Sequence, residues 1–534
     1  MGRTRWFVVL AAVGAAALTQ AMTGVADTNP QPVDSTHNVI DAPGAVNGAV
    51  FDVTPTGTTG VAICSTSKSA AANVNTDCKE STVGPHNETS IAVNPTNPSN
   101  IIGGANDYQL SLNPDGHVSE TVLSRAHTSF DGGQSWTEYF IDNNAAYQAT
   151  GDPSVAFDAT GHAYYATLGF RFSGNTVLSP DVLVSNSADG GKTWREVRVA
   201  AGSGVFTGPG DLLDKEYVRA WGNGNAIVTY GDFLQGTFGS FISSRIFASV
   251  THDGGATWST PVVISGSLTE AFVSTPVITA DGRIFVSFEN TTDLTTGRDD
   301  YEVVQVSPAT GAAIIAPVKV ATLIDGATDY PVAFGRQTYH DSVFRSWSAG
   351  DIAADSTNSN HLAVIWSDMR NSTLPAPTDP YSATTNSDVV VSQSADGGAH
   401  WSSPVALTLP NDQFQPWGAY DPSGRLRIGF FDRSVDSANH LYTYSVATET
   451  RDGSLKFSVA RVATAMSDPT TGDRWFARNV NTNFPHATAF LGDYSGIAID
   501  PSGGVIAYWT DMRNDVTFGT RTGHGEDAYF GRTS

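Results

Sequence analysis

Four segments of the chain share one phrase: Ser129–Trp136 (SFDGGQSW), Ser187–Trp194 (SADGGKTW), Thr251–Trp258 (THDGGATW) and Ser394–Trp401 (SADGGAHW). In each, a hydroxyl residue stands two places before an Asp, two glycines follow, and a Trp closes the phrase. An Asp carboxylate accepts backbone N–H groups within its own turn, and Gly supplies the positive φ of a reversal, so each phrase is predicted to be a tight hairpin turn. The Trp then starts the outgoing strand and fills a wedge between neighbouring sheets. Two worn copies keep the outline, Thr450-Arg451-Asp452-Gly453 and Ser307–Ile314.

Around these turns lies a longer repeat, and a repeat of this length points to a repeated supersecondary unit. Each unit opens with a small apolar strand: TSIAV at 89–93, PSVAF at 153–157, EYVRA at 216–220, TPVIT at 275–279, GDIAA at 350–354, PWGAY at 416–420 and YSGIA at 494–498. A short Asp/Asn/Pro/Gly turn follows, then a strand ending in an aromatic and polar pair, such as AVIWSDMR at 363–370 or VIAYWTDMR at 505–513. A third strand enters the Asp-Gly-Gly turn and a fourth leaves it. Units of four strands in a meander are propeller blades. The expected fold is therefore all-β, a propeller of four-stranded antiparallel blades, with seven blades and six as the alternative; two separate β domains is the competing organisation. The last unit is one strand short, and a strand from residues 47–64 is expected to complete it so that no sheet edge stays open.

Composition narrows the class. The chain of 534 residues carries 29 basic and 53 acidic side chains, a net charge of −24, with 52 Gly and 26 Pro. Such a charge repels nucleic acid and anionic lipid, and both are discounted as partners. Residues 1–26 read as a secretory signal, with Arg3 and Arg5, an apolar run from Trp6 to Leu18, and Gly24-Val25-Ala26 for cleavage. The expected protein is secreted, free of membrane once the signal is removed, and monomeric. Residues 27–85 form a lead-in that holds the ring-closing strand and the only two cysteines, Cys64 and Cys78. An even count in an oxidising compartment favours a disulfide. The propeller proper spans 86–534.

Long connections gather on one face, at roughly 201–213, 322–348 and 464–492 between units and at 291–300, 371–386 and 514–525 within them. Loops carry function while a scaffold positions them. On that face first strands start at Glu88, Asp152, Asp214 and Asp493, and second strands end at Asp368 with Arg370, Asp432 with Arg433, and Asp511 with Arg513. Acids grouped on one axis suit sugar chemistry, where one protonated carboxyl donates to the leaving oxygen and a second acts as base or nucleophile. The arginines and their neighbouring Asp368, Asp432 and Asp511 are expected to hold substrate. Asp131, Asp189, Asp253 and Asp396 are expected to be structural.

The repeated phrase and the repeats over 86–534 resemble the Asp-box, or BNR, repeat of secreted bacterial proteins in the sialidase-like superfamily. The resemblance implies a glycoside hydrolase with a carbohydrate substrate, three arginines on the substrate carboxylate, and a Tyr nucleophile paired with a Glu. Tyr494 beside Glu88, and Arg370, Arg433 and Arg513, are the residues here that could play those parts. The Phe-Arg-Ile-Pro motif of the first arginine is absent. A non-catalytic glycan- or protein-binding propeller and a polysaccharide lyase remain the alternatives. No cofactor is expected, a structural calcium being the one ion left open, and no other metal is assigned.

Overall fold

Seven apolar openings become the seven innermost strands of a closed ring. The structure, a computed structural model, describes residues 62–78, 84–112, 118–141, 147–173, 176–206, 208–293, 296–326, 328–333, 336–372, 384–469, 490–518 and 521–533. The expected signal at 1–26 and most of the segment 47–64 lie outside them. The innermost strands are His86–Val93, Ala149–Phe157, Gly210–Trp221, Ala271–Ile278, Asp351–Ala354, Gln413–Tyr420 and Gly496–Ile499, each in its own antiparallel sheet, with the short Ser203–Gly204 also paired to the third. In the first blade the meander continues through Ile101–Leu112, Val118–Ser129 and Thr137–Phe140. Beyond strands, a single 3-10 turn at Thr237–Gly239 is the helical element among the described residues. The protein is a seven-bladed β-propeller.

Ring closure differs from expectation in its residues. The seventh blade runs Gly496–Ile499, Val505–Asp511, Asp527–Thr533, and its fourth strand is Asn73–Asn75, outside the segment 47–64. Ala62–Ser65, at the end of that segment, instead adds a fifth, outer strand to the first blade against Thr137–Phe140. The reason is burial. Val74 packs with Ile506, Phe530 and Trp136, whereas Ala62–Ser65 is half-exposed, as an outer edge should be. The Cys64–Cys78 disulfide ties the two segments together.

The four repeated phrases form one turn four times. Asp189 Oδ1 accepts from the backbone N–H of Lys192 and Thr193, its Oδ2 from the Thr193 hydroxyl at 2.6 Å, and Ser187 donates to it at 2.8 Å. Asp131 repeats the pattern with Gln134, Ser135 and Ser129. Gly133 sits at φ +89°, and a Cβ there would meet the Phe530 ring of the seventh blade at 2.3 Å. That approach lets Trp136 stack on Tyr508 and lean on Phe530, sealing the first blade against the last. Trp194 does the same between the second blade and the first, among Ile102 and Ala126. Gly254 donates to Gly224 and Gly397 to Asn360, so these turns share a face with the short turns that follow the innermost strands. Replacing Asp189 with Ala should cost about 1–2 kcal/mol through its lost turn bonds and leave any activity per folded molecule unchanged. Chemical denaturation and an activity assay check this; an unaltered midpoint would show the turn holds without its carboxylate.

Candidate functional site

One structural slip recurs at the start of the innermost strands. Register shifts fall between Asn87 and Ser90, Gly151 and Ser154, Asp214 and Tyr217, and Phe414 and Trp417. At these bulges Glu88, Asp152, Lys215 and Gln415 take positive φ of 54°, 62°, 53° and 47°. A bulge re-aims a side chain out of the pleat, and non-glycine residues are held in this strained region only where the surroundings enforce it. Glu88, Asp152 and Lys215 thereby meet at the centre of the ring.

Lys215 Nζ stands 3.0 Å from Glu88 Oε1, 2.8 Å from Asp152 Oδ2 and 2.7 Å from Asp493 Oδ2. Three carboxylates from the first, second and seventh blades thus share one ammonium from the third. Arg345, from the long connection ahead of the fifth blade, pairs with both oxygens of Asp493. Asp214 accepts from the Lys215 backbone N–H at 2.9 Å, and Asn106 donates to Glu88 Oε2 at 3.0 Å. Glu216 lies next in sequence, and both its carboxylate oxygens are buried without a hydrogen-bond partner. All seven ionisable groups are at most 2% exposed.

Electrostatics divides the acids. Burial alone would raise Asp493, but Arg345 and Lys215 outweigh it and hold its carboxyl far below the usual range. Burial, reinforced by Asp152, pushes Glu88 well up, and burial also lifts Glu216. Asp214 is pushed up to about 7 by burial, with Lys215 opposing. Lys215 is disfavoured as a cation by burial, yet Asp152, Asp493 and Glu88 raise it well above the ordinary lysine. The centre therefore sets one carboxyl pushed far down beside others pushed up, the separation that acid–base chemistry uses.

The structure brings together Glu88, Asp152, Asp214 and Asp493, with Tyr494 alongside. The Tyr494 hydroxyl donates to the Pro153 carbonyl at 3.1 Å rather than to a carboxylate, and burial holds it well above the ordinary phenol range. The three predicted arginines do not join them. Arg370 folds back on Asp368 and lies over Trp366, whose indole N–H donates to the same carboxylate. Arg513, Asp511 and Trp509 repeat that clamp, with Tyr529 under the guanidinium. Arg433 is buried, donating to the carbonyls of His340 and Asn439 and to Ser342. Asp432 accepts from Ser445 and from the Ser434 backbone. All of these groups fix blade edges and loops.

Lys215 and Arg345 escape a search for acids and Asp-x-Arg pairs, and Glu216 reads as a plain strand residue of EYVRA. Lys215 has a signal nonetheless: written in one frame, Glu88, Asp152, Lys215, Gln415 and Asp493 each stand three places before the strand's central residue. Arg345 lies in a connection with no pattern.

Beneath the cluster an axial cavity of about 320 Å³ is lined by all seven innermost strands, among them Thr89, Tyr217, Arg219, Asp351, Trp417 and Tyr494. A second hollow of about 210 Å³ is ringed by the short-turn residues Pro95, Ser356, Pro422 and Pro501. The cavity thus extends toward the face opposite the long connections. Over the cluster on the long-connection side stand Trp347, with its ring centre 5.7 Å from Lys215 Nζ, and Arg345, 5.1 Å from both Trp347 and Phe490.

The raised carboxyls fix a pH dependence. Asp214, near 7 in the fold, titrates near 4 when unfolded, and Glu88 and Glu216 shift the same way. Between about pH 4 and 7 the folded state binds more of these protons, so their stabilisation is complete below about 4 and is lost as pH rises through about 7. Asp493, held low, acts oppositely and only in stronger acid. The melting temperature should peak near about pH 5 and fall by several degrees toward about pH 8. A flat or rising profile over that range would contradict the site's electrostatics.

The sequence matches no family model and no curated protein. Among solved structures, the chain is similar to a protein of unknown function from Dyadobacter fermentans DSM 18053, at 12% identity and a TM-score of 0.41, covering 87% of this chain and 98% of that one. It is similar to an alpha-L-arabinanase of Penicillium chrysogenum complexed with arabinobiose, at 13% identity and a TM-score of 0.39 over 74% and 98%. A leech intramolecular trans-sialidase complexed with 2,7-anhydro-Neu5Ac is similar at 14% identity and a TM-score of 0.39 over 88% and 70%. Likeness this low transfers no residue role.

Proposed function

We propose that the protein is a carbohydrate-processing propeller that cleaves glycosidic bonds at the axial cluster. The observation that carries this reading is the set of three carboxylates gathered on Lys215 Nζ, with Asp214 and Glu216 adjoining. The Glu88, Asp152 and Asp493 oxygens that share one nitrogen lie no more than about 6 Å apart, the range of a retaining pair of glycosidase carboxyls, and Asp214 adjoins them through the Lys215 backbone N–H. Asp214, neutral near pH 7, is the proton donor to the leaving oxygen. Asp493, kept ionised by Arg345, is the second carboxylate. Arg345 and Trp347 stand over the acids in a closed arrangement, and their guanidinium and indole suit a sugar ring bearing hydroxyl or carboxylate groups. The Cys64–Cys78 disulfide is of the kind that persists in oxidising compartments, which supports action outside the cytoplasm.

A binding reading is favoured by the burial of the same groups: every cation is paired, as in a plug. A panel of aryl glycosides and polysaccharides separates the two. Release of reducing ends from one panel member is expected. Retention on an immobilised glycan without cleavage would replace the hydrolase by a binding module, and an unsaturated uronate product would replace it by a lyase. Neither cleavage nor binding across the panel would remove carbohydrate from the account.

A further inference from the structure

A second buried cluster lies away from the axis, where the closing strand meets the first blade. Asp77 follows the strand Asn73–Asn75, while His86 starts the innermost strand of the first blade and His127 lies on its third strand. One carboxylate oxygen and one nitrogen from each ring lie within 4.8 Å of one another. His86 Nδ1 is 3.2 Å from Asp77 Oδ2, and His127 Nδ1 is 3.6 Å from Asp77 Oδ1. Ligands of a tetrahedral zinc ion at bonds of 2.0–2.2 Å sit about 3.3–3.5 Å apart. Each imidazole therefore already stands from the Asp77 carboxylate at about the length of one such edge.

Two further observations point to a ligand. Asp77 Oδ1 and His86 Nδ1, the two atoms facing each other across the site, are buried with no hydrogen-bond partner, although their residues are at most 4% exposed. Behind the ring of His86 stands a carboxylate, Asp107 Oδ1 at 3.2 Å from Nε2, itself held by Arg125 at 3.2 Å. A carboxylate behind an imidazole is the arrangement that orients a metal-binding histidine. The hydroxyls of Thr76 and Tyr508 lie 2.7 and 2.8 Å from His127 Nδ1 and orient its ring.

We propose that Asp77, His86 and His127 form a structural site for a divalent ion of zinc type, which locks the closing strand onto the first blade. Two imidazoles and one carboxylate suit Zn²⁺; Ca²⁺ and Mg²⁺ take oxygen ligands. Asp77 reaches the site only when the seventh blade closes, since its Oδ2 accepts from the backbone of Ala528 at 3.1 Å across 451 residues. The ion is therefore captured as the ring shuts and released only when it opens.

The test uses the full-length, disulfide-intact protein, purified without metal-affinity resin, and measures zinc by mass spectrometry. About one equivalent is expected. Protein refolded with a chelator should melt about 4 °C lower than protein refolded with Zn²⁺, and Mg²⁺ or Ca²⁺ should not restore it. His127→Gln should lose the metal, whereas His361→Gln, in the separate Asp355–His361–Asp452 group, should keep it. If His127→Gln does not fold, wild type refolded with Co²⁺ decides: tetrahedral visible bands support the site, and their absence overturns it. Metal-free protein whose melting ignores Zn²⁺, or metal retained by folded His127→Gln, also overturns it. In either case His86 is simply an imidazolium clamped between Asp77 and Asp107.

Discussion

Asp214→Asn is expected to lower turnover about 10²–10⁴-fold on whichever glycan the wild type cleaves, with the melting temperature nearly unchanged. The amide matches the carboxyl in shape and still accepts the Lys215 backbone N–H seen at 2.9 Å. Asp214 is largely neutral below about 7 in the fold, so its charge is little missed. What the amide cannot do is give up a proton. The alkaline limb of the wild-type profile should fall near about 7 and disappear in the variant. Glu88→Gln and Asp152→Asn serve as comparisons from the same cluster. Near-normal turnover in Asp214→Asn, with the alkaline limb intact, would move the acid elsewhere.

The second large effect concerns folding. Lys215→Met removes the single ammonium beneath Glu88, Asp152 and Asp493, leaving buried carboxylates without their shared partner. Breaking a buried ion pair in this way costs about 3–5 kcal/mol, a large part of the 5–15 kcal/mol by which folded proteins are usually stable. The urea midpoint should drop sharply at pH 7 and recover partly toward pH 5, as Glu88, whose carboxyl burial already pushes up, takes a proton. Adding Asp152→Asn to Lys215→Met should also restore part of the loss. An unchanged midpoint in the single variant would mean that the acids are already neutral, and that Lys215 is not what holds them.

The fold was legible because seven small apolar strands recur in one frame, and the Asp-Gly-Gly-Trp turns mark where third strands reverse. The meeting of Glu88, Asp152, Asp214 and Asp493 was legible for the same reason: equivalent starts of first strands converge on one axis. Lys215 was not, because a bulge decides which of two adjacent residues turns inward. In the third blade the bulge carries Lys215 at φ 53° in place of its acidic neighbour. Arg370 and Arg513 misled because an arginine two places after an Asp reads as a free binding group, whereas here each is folded onto its own Asp and the nearby indole. The closing strand was misplaced because three residues, Asn73–Asn75, are too few to show an alternation.

That three-residue strand sets the order of events when the chain is made. Asp77 is synthesised 451 residues before its partner Ala528. At about 5–20 residues per second, it waits roughly 20–90 s for the last blade to exist. Until then the first blade holds one flank of a seam whose other flank has not been translated. Linking Thr533 directly to Ala62 and cutting the chain at a short turn between first and second strands would make the same seam a local contact, with far less loop-closure entropy to overcome. The native order of the chain thus leaves its most distant pairing for last.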